Sequence, residues 1–480
     1  MSKKNQNYTN RKQNRFQPER MRGNVFVNNS GKQWLPGENG RAAKVERLLK
    51  GAREEKKEIA GNMAGYKDSE VEYIGKLPNT WNITKLKYVS DIYTATAHPF
   101  FGKDENHILA KNDKSHNIYE EWTDGGYDVI ITGRVGTIGQ YQRCKNSYLN
   151  KILNKDNRLI VKPKSDQLNK SIRYDYLFYG TLIINLQDII SGSAVPLITA
   201  TGLSKKEIPL PPLPEQQRIA DFLDTKCGIL DRTIDAVSRQ IEDLEKYKKA
   251  LITKTVTKGI CKKGEPERAM KDSGVEWIGE VPEEWSVSKV KYNFSTFKKI
   301  PGKESEKYER LSLTMNGVKH REKWTAEGLQ PKDFMSYQLL RKGDLVFRLI
   351  DLQNPSKSRR VALSHDTGLI SPAYTILHAD NNKMLPEYAE MFFLMMSYLD
   401  VFNALGSCGV RSSINNAELM KISVLVPPLA EQQQIADYLD EKCKNIDNRV
   451  QKRRQQLEWL KEYKKSLIFD YVTGKKRVEK

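Results

Sequence analysis

The chain has 480 residues, a formal net charge of +20 and a mean hydropathy of −0.65. No apolar run approaches the about 20 residues that cross a bilayer, and the N-terminus lacks the apolar stretch of a signal peptide, so a cytoplasmic protein with no membrane partner is expected. Five scattered cysteines with no CxxC pair and six histidines with no HExxH or HxxxH spacing argue against a disulfide framework and against a metal site.

Residues 1–63 form a basic extension, with 15 Lys/Arg against 6 Asp/Glu up to position 62. Its Asn, Gln and Gly content reads as a disordered tail with one short helix around Arg41–Ala60. Met63 stands immediately before the first repeat and is an alternative start. The overall surplus of positive charge raises the expectation of a polyanionic partner, usually nucleic acid.

From there the chain says most things twice. KDSEVEYIGKLPNTW, Lys67 to Trp81, returns as KDSGVEWIGEVPEEW, Lys271 to Trp285. PPLPEQQRIADFLDTKC, Pro211 to Cys227, returns as PPLAEQQQIADYLDEKC, Pro427 to Cys443. Two long copies indicate a duplicated, pseudo-two-fold protein rather than a solenoid. The divisions that follow are a first variable block at 64–208, a first long helix at 209–259 and a linker at 260–270. A second variable block at 271–424, a second long helix at 425–474 and a basic tail at 475–480 complete the chain.

The first block contains GYDVIITGRVGTIGQY, whose β-branched runs bounded by Gly read as strands. Thr132 and Arg134 sit in it beside glycines, where backbone approaches a groove closely. Trp81 and its counterpart Trp285 are expected as core anchors.

Each long helix opens after a proline-rich stop with Glu in the first turn, as the helix dipole favours. Apolar residues then recur in heptads: Leu223, Cys227, Leu230, Ile234, Val237, Ile241 and Leu244 in the first, with a polar break at Lys248. In the second they are Leu439, Cys443, Ile446, Val450, Leu457 and Leu460, with breaks at Arg453 and Lys464. This is a coiled-coil seam, on which both cysteines serve as small buried hydrophobes. A helix of about 42 residues is about 63 Å long. The second block starts where the first helix ends and feeds the second helix at its start, so antiparallel pairing is the shorter route. The expected fold is therefore α+β, with a mixed, strand-rich head at each end of a two-helix spacer.

In the second block, Arg348, Gln353, Asn354, Arg359 and Arg360 cluster within DLVFRLIDLQNPSKSRR, and Arg411 follows GSCGV. Arg, Asn and Gln read base edges, and Lys and Arg hold phosphates. Solvated surface charge is the alternative reading of each. No P-loop, no GxGxxG, no GxSxG and no Asn/Asp-Pro-Pro-aromatic motif is present. Asp128, Asp344 and Asp351 read as turn residues rather than as a nuclease site.

The duplicated PPLxEQQxIADxLDxKC boundary with its long helix, together with the duplicated KDSxVExIG opening, resembles the specificity subunit of type I restriction–modification systems from Lys67 to Gly474. The extension before Met63 is not part of that pattern. The resemblance implies two target recognition domains separated by two long antiparallel helices, each domain reading half of a bipartite site in double-stranded DNA. It implies that the helices measure the gap and dock two modification (methyltransferase) subunits, with restriction (translocase–nuclease) subunits completing the complex. It implies no cofactor on this chain, with S-adenosylmethionine, ATP and Mg²⁺ used by the partners. A rod of about 60 Å spans less than two turns of B-DNA. The alternative is a coiled-coil scaffold whose heads bind proteins.

Overall fold

The structure is a computed structural model that describes residues 26–27, 33–34, 65–94, 127–132, 141–145, 158–164, 171–191, 197–260, 264, 268–321, 334–352, 359–406 and 412–478. It divides into two units. One comprises residues up to Asp224 together with Ser466–Lys480, and the other runs from Thr225 to Lys465.

The first unit begins with the hairpin β1 (Tyr66–Asp68) and β2 (Lys76–Pro78). The KDS letters make its turn: the Asp68 carboxylate accepts from the Glu70 N–H at 2.8 Å and the Ser69 hydroxyl accepts from the Val71 N–H at 3.1 Å. Next come β3 (Asn82–Lys85), α1 (Leu86–Val89) and β4 (Ser90–Thr94). β4 enters an antiparallel sheet with β5 (Tyr127–Thr132), β6 (Tyr141–Lys145) and β7 (Arg158–Pro163), in the order β4-β7-β5-β6. Helix α2 (Tyr174–Leu182) follows, and β8 (Glu207–Leu210) returns to pair with β3 just before the first long helix, Leu213–Lys258.

The second unit repeats this plan. β9 (Met270–Asp272) and β10 (Glu280–Pro282) form the same hairpin, and Gly274 and Val275 take the bonds that Glu70 and Val71 take in the first. β11 (Ser286–Lys289), α3 (Val290–Asn293) and β12 (Phe294–Thr296) follow. The chain then adds a hairpin of β13 (Leu311–Thr314) and β14 (Gly317–His320), and pairs β15 (Gln338–Leu340) with β18 (Gly368–Ile370). The four-stranded sheet is β12-β19-β16-β17, where β16 is Leu345–Phe347, β17 Val361–Leu363 and β19 Thr375–Ala379. Its strand order matches β4-β7-β5-β6 position for position, although the two blocks scarcely align in sequence. Helix α4 (Pro386–Tyr398) covers it with Phe392 and Phe393, and β20 (Ser423–Val426) pairs with β11 before the second long helix, Leu429–Val472.

The PPLxEQQ motif is a clamp that works through its glutamate and two glutamines. The first glutamine, fully buried, joins its helix to its head: Gln216 donates to the Ser171 and Pro211 carbonyls at 2.8 Å and accepts from the Arg173 N–H at 2.9 Å. In the second unit Gln432 donates to Lys383 and Pro427 and accepts from the Leu385 N–H at 2.8 Å. The glutamate accepts the tryptophan N–H, Trp81 to Glu215 at 2.9 Å and Trp285 to Glu431 at 2.8 Å. The second glutamine stays outside on its own helix, donating to Asp221 or Asp437 one turn on. Both tryptophans are buried core residues, as expected.

The far ends of the long helices complete the heads. In the first unit the Tyr66 and Tyr176 hydroxyls donate to the Gly474 and Val472 carbonyls, and Phe222 packs on Tyr471. In the second, the Tyr388 hydroxyl donates to the Val256 carbonyl, while Ile252 and Val256 enter the core.

Within the second unit the long helices run antiparallel. Asp231 meets Lys464, Glu245 meets Arg454 and Lys248 meets Asp447, so position rises along one helix as it falls along the other. The seam residues Cys227, Leu230, Val237, Ile241, Leu439, Cys443, Ile446, Val450 and Leu460 are buried. Ile234, Leu244 and Leu457 are half-buried, and Leu223 is buried in the first unit. The polar breaks at Lys248 and Lys464 are filled by ion pairs to Asp447 and Asp231 at 2.6 Å. Such exposed pairs contribute about 0.2–1 kcal/mol each, and their larger effect is on register.

The copies differ informatively at one turn position, where Glu70 holds φ 60° and Gly274 φ 67°. Left-handed backbone penalises a Cβ, so Glu70→Gly is expected to raise stability by about 0.5–1 kcal/mol. Gly474, at φ 70°, would place a Cβ 2.6 Å from the Pro78 ring, and Gly474→Ala is expected to cost about 2–3 kcal/mol. Chemical denaturation of the two variants checks both signs.

Candidate nucleic-acid interface

The sequence-derived candidates separate by environment. Thr132 closes β5, in register with Arg158. Arg134, Gln353, Asn354 and Arg411 lie outside the described residues. Arg348, Arg359 and Arg360 are described, and the structure brings these three together where β16 and β17 end.

Two of the three are not surface groups. Arg348 and Arg360 are only 6 % and 8 % exposed. The Arg348 N–H donates to the Arg360 carbonyl at 2.8 Å, extending the β16–β17 ladder by one step. The Arg360 guanidinium donates to the backbone carbonyls of Ile350, Asp351 and Leu352. Burial, followed by the neighbouring Arg348 charge, holds the Arg360 pKa below the usual arginine range. The expectation that Arg348 and Arg360 reach base edges is thus corrected: hydrophobic strands on either side carry both side chains inward. Arg359 is nearer solvent. Its guanidinium lies 3.4 Å from Glu390, whose carboxyl burial pushes above the ordinary range, on the wall of a cleft of about 1010 Å³ shared with Lys248, Lys249 and Arg454.

What remains outside is basic and aromatic, and it is duplicated. At the same place in each head, on α1 and α3, Lys87 lies over Tyr88 at 4.8 Å and Lys291 over Tyr292 at 4.6 Å. The rings are 57 % and 60 % exposed, unusual for large aromatic side chains. The KLKY and KVKY letters are visible in the sequence, but only the structure shows that both rings face solvent. Beyond them, the turn after β16 displays Ile350 at 42 % exposure.

The candidate acids occupy different elements. Asp128 lies in β5, and Asp351 has left-handed backbone at φ 50°. Asp344 is fully buried in the turn before β16, accepting from the Arg341 N–H at 3.0 Å and Arg341 Nε at 3.2 Å, with His378 Nδ1 at 2.9 Å. Among the described residues no helix is long and apolar enough to cross a membrane.

The profile of the type I restriction modification DNA specificity domain matches residues 82–246 and 373–458. The chain belongs to that family. The match takes in the first head from β3 onward, the second from Ala373, and most of both stretches of helix that form the paired seam, so this is a specificity subunit of the type I kind. The type I restriction enzyme MjaVIII specificity subunit of Methanocaldococcus jannaschii is 28% identical over 336 residues, which is 66% of this chain and 73% of that one. A solved chain described under "complex assembly and conformational transition of the type I R-M system" is 13% identical, covers 83% of this chain and 99% of its own, and has a TM-score of 0.49. The HsdS subunit of Thermoanaerobacter tengcongensis is 13% identical, with 83% and 98% covered and a TM-score of 0.35.

Asp344→Ala removes the acceptor of the Arg341 N–H and the neighbour of the half-exposed Arg341 and His378 side chains, and should cost about 1–3 kcal/mol of stability, as the loss of a buried hydrogen-bonded group does. Equilibrium unfolding in urea measures it.

Proposed function

We propose that this specificity subunit reads a bipartite, asymmetric site in double-stranded DNA, one half-site per head. On this reading it directs two modification subunits to methylate adenine, and restriction subunits to cleave unmodified DNA. The chain is itself non-catalytic and cytoplasmic, and S-adenosylmethionine, ATP and Mg²⁺ act in its partners. The observation that carries this reading is the repeated frame. Identical Gln, Glu and Trp clamps and the same four-strand order hold two heads whose remaining sequence differs. A constant frame suits two identical partners, and unlike surfaces suit two unlike half-sites.

Lys87–Tyr88 and Lys291–Tyr292 are the sequence-independent contacts in this scheme. They belong to the constant part of each head, and the sugar–phosphate backbone is the part of DNA that both half-sites share. Base reading belongs to the divergent loops. The paired helices, locked in register by Lys248–Asp447 and Lys464–Asp231, set the spacer between half-sites.

Three outcomes are expected of the complex assembled with its modification subunits. Affinity for DNA falls steeply with salt, as phosphate neutralisation requires; a flat response in fluorescence anisotropy favours a protein-binding scaffold instead. Replacing Lys87, Tyr88, Lys291 and Tyr292 by Ala weakens cognate and unrelated DNA alike and lowers the salt slope by about 1 per lysine. An effect confined to one half-site contradicts the backbone assignment. Deleting one matched heptad from both long helices changes the accepted spacer and leaves the half-site sequences unchanged, read by sequencing the methylated sites.

A further inference from the structure

We propose that Arg360 is a positioning residue of the second head, which holds the Ile350–Leu352 turn in the single conformation that discriminates the second half-site without touching DNA itself. The proposal rests on the DNA-reading function above.

The turn lies where β16 leaves the sheet. Leu349 is held from one side, its carbonyl accepting from the Ile414 N–H at 3.0 Å, and Leu352 from the other, its N–H donating to the Ser412 carbonyl at 3.1 Å. Between these anchors the three carbonyls of Ile350, Asp351 and Leu352 converge on one guanidinium, at 3.1 Å for the first two and closer still for the third. Arginine suits this task because its planar fork presents several donors in fixed directions.

Stability alone does not explain the arrangement. A buried guanidinium ordinarily faces a carboxylate, and unneutralised burial of charge is costly. Among the described residues no carboxylate lies within ion-pair distance of Arg360; Asp400 and Asp351 act on it only from farther away, and its hydrogen bonds all go to peptide carbonyls. The same turn holds Asp351 at φ 50°, a conformation that side chains with a Cβ adopt at a cost. Strain of this kind persists where the surroundings over-determine it, and it concentrates at ligand-contacting segments. Leu352 is fully buried, Asp351 half-buried and Arg360 only 8 % exposed, so Ile350, at 42 %, is the most exposed side chain of the pinned turn. A rigidly presented apolar side chain is the chemistry that senses a thymine methyl group.

The test compares the assembled methyltransferase complex carrying wild-type chain, Arg360→Met, Arg360→Lys or Asp351→Gly. The readout is the rate of methylation of cognate DNA over DNA with single-base changes in each half-site. Arg360→Met is expected to reduce discrimination at the second half-site by about tenfold, the scale of one base-pair mismatch. Discrimination at the first half-site should stay within about twofold, well under one such mismatch. Arg360→Lys should recover part of the loss. Asp351→Gly keeps the positive φ and releases the turn, so it should relax the same base position without lowering the melting temperature. If Arg360→Met fails to fold, Asp351→Gly decides alone. Unchanged discrimination in a folded variant, or equal loss at both half-sites, overturns the proposal. Absence of sequence-dependent methylation by the wild-type complex overturns the DNA-reading function instead.

Discussion

A buried side-chain amide on which three hydrogen bonds converge is the interaction on which everything else in this chain depends. Gln216 and Gln432 each tie the start of a long helix to the backbone entering the covering helix of its head. A buried amide with one bond unmade is costly, so helix and head are fixed in one mutual arrangement wherever the glutamine is satisfied. The tryptophan–glutamate bond beside it adds a second constraint at the same helix end. Sheets of different sequence can then be mounted on the same base without altering the helix that leaves it.

The helix pair shows how polar interruptions act in an apolar seam. Lys248 and Lys464 occupy equivalent places in the two copies, and so do their partners Asp447 and Asp231. These interruptions place a charge pair in the seam at each of two related positions, and the pairs add little to affinity.

Much of this was legible in the sequence, and the parts that were not share a cause. Heptad spacing exposed the long helices because a seam repeats over many residues, and the duplication exposed the frame because its letters recur. The common strand order of the two sheets was hidden, since buried strands such as Leu345–Phe347 and Val361–Leu363 accept many β-branched or apolar residues without altering the fold. The task of Gln216 was hidden too: a polar residue early in a helix ordinarily faces water, and only the approach of Ser171 and Arg173 makes it a core residue. Arg348 and Arg360 misled in the opposite way. Clustered arginines suggest a polyanion contact, but these two continue strands that are buried at every position and are enclosed with them. Arg359 is half-buried, with Glu390 as neighbour.

The second unit is one continuous stretch of chain, whereas the first draws its last contributions from Ser466 onward. Tyr66 and Tyr176 find partners in Gly474 and Val472, hundreds of residues later. During synthesis, the second head can therefore close while the first, made earlier, still lacks the helix turn that completes its core. The head that leaves the ribosome first is the last to mature, and a chain interrupted shortly before its end would lose the native packing of its beginning.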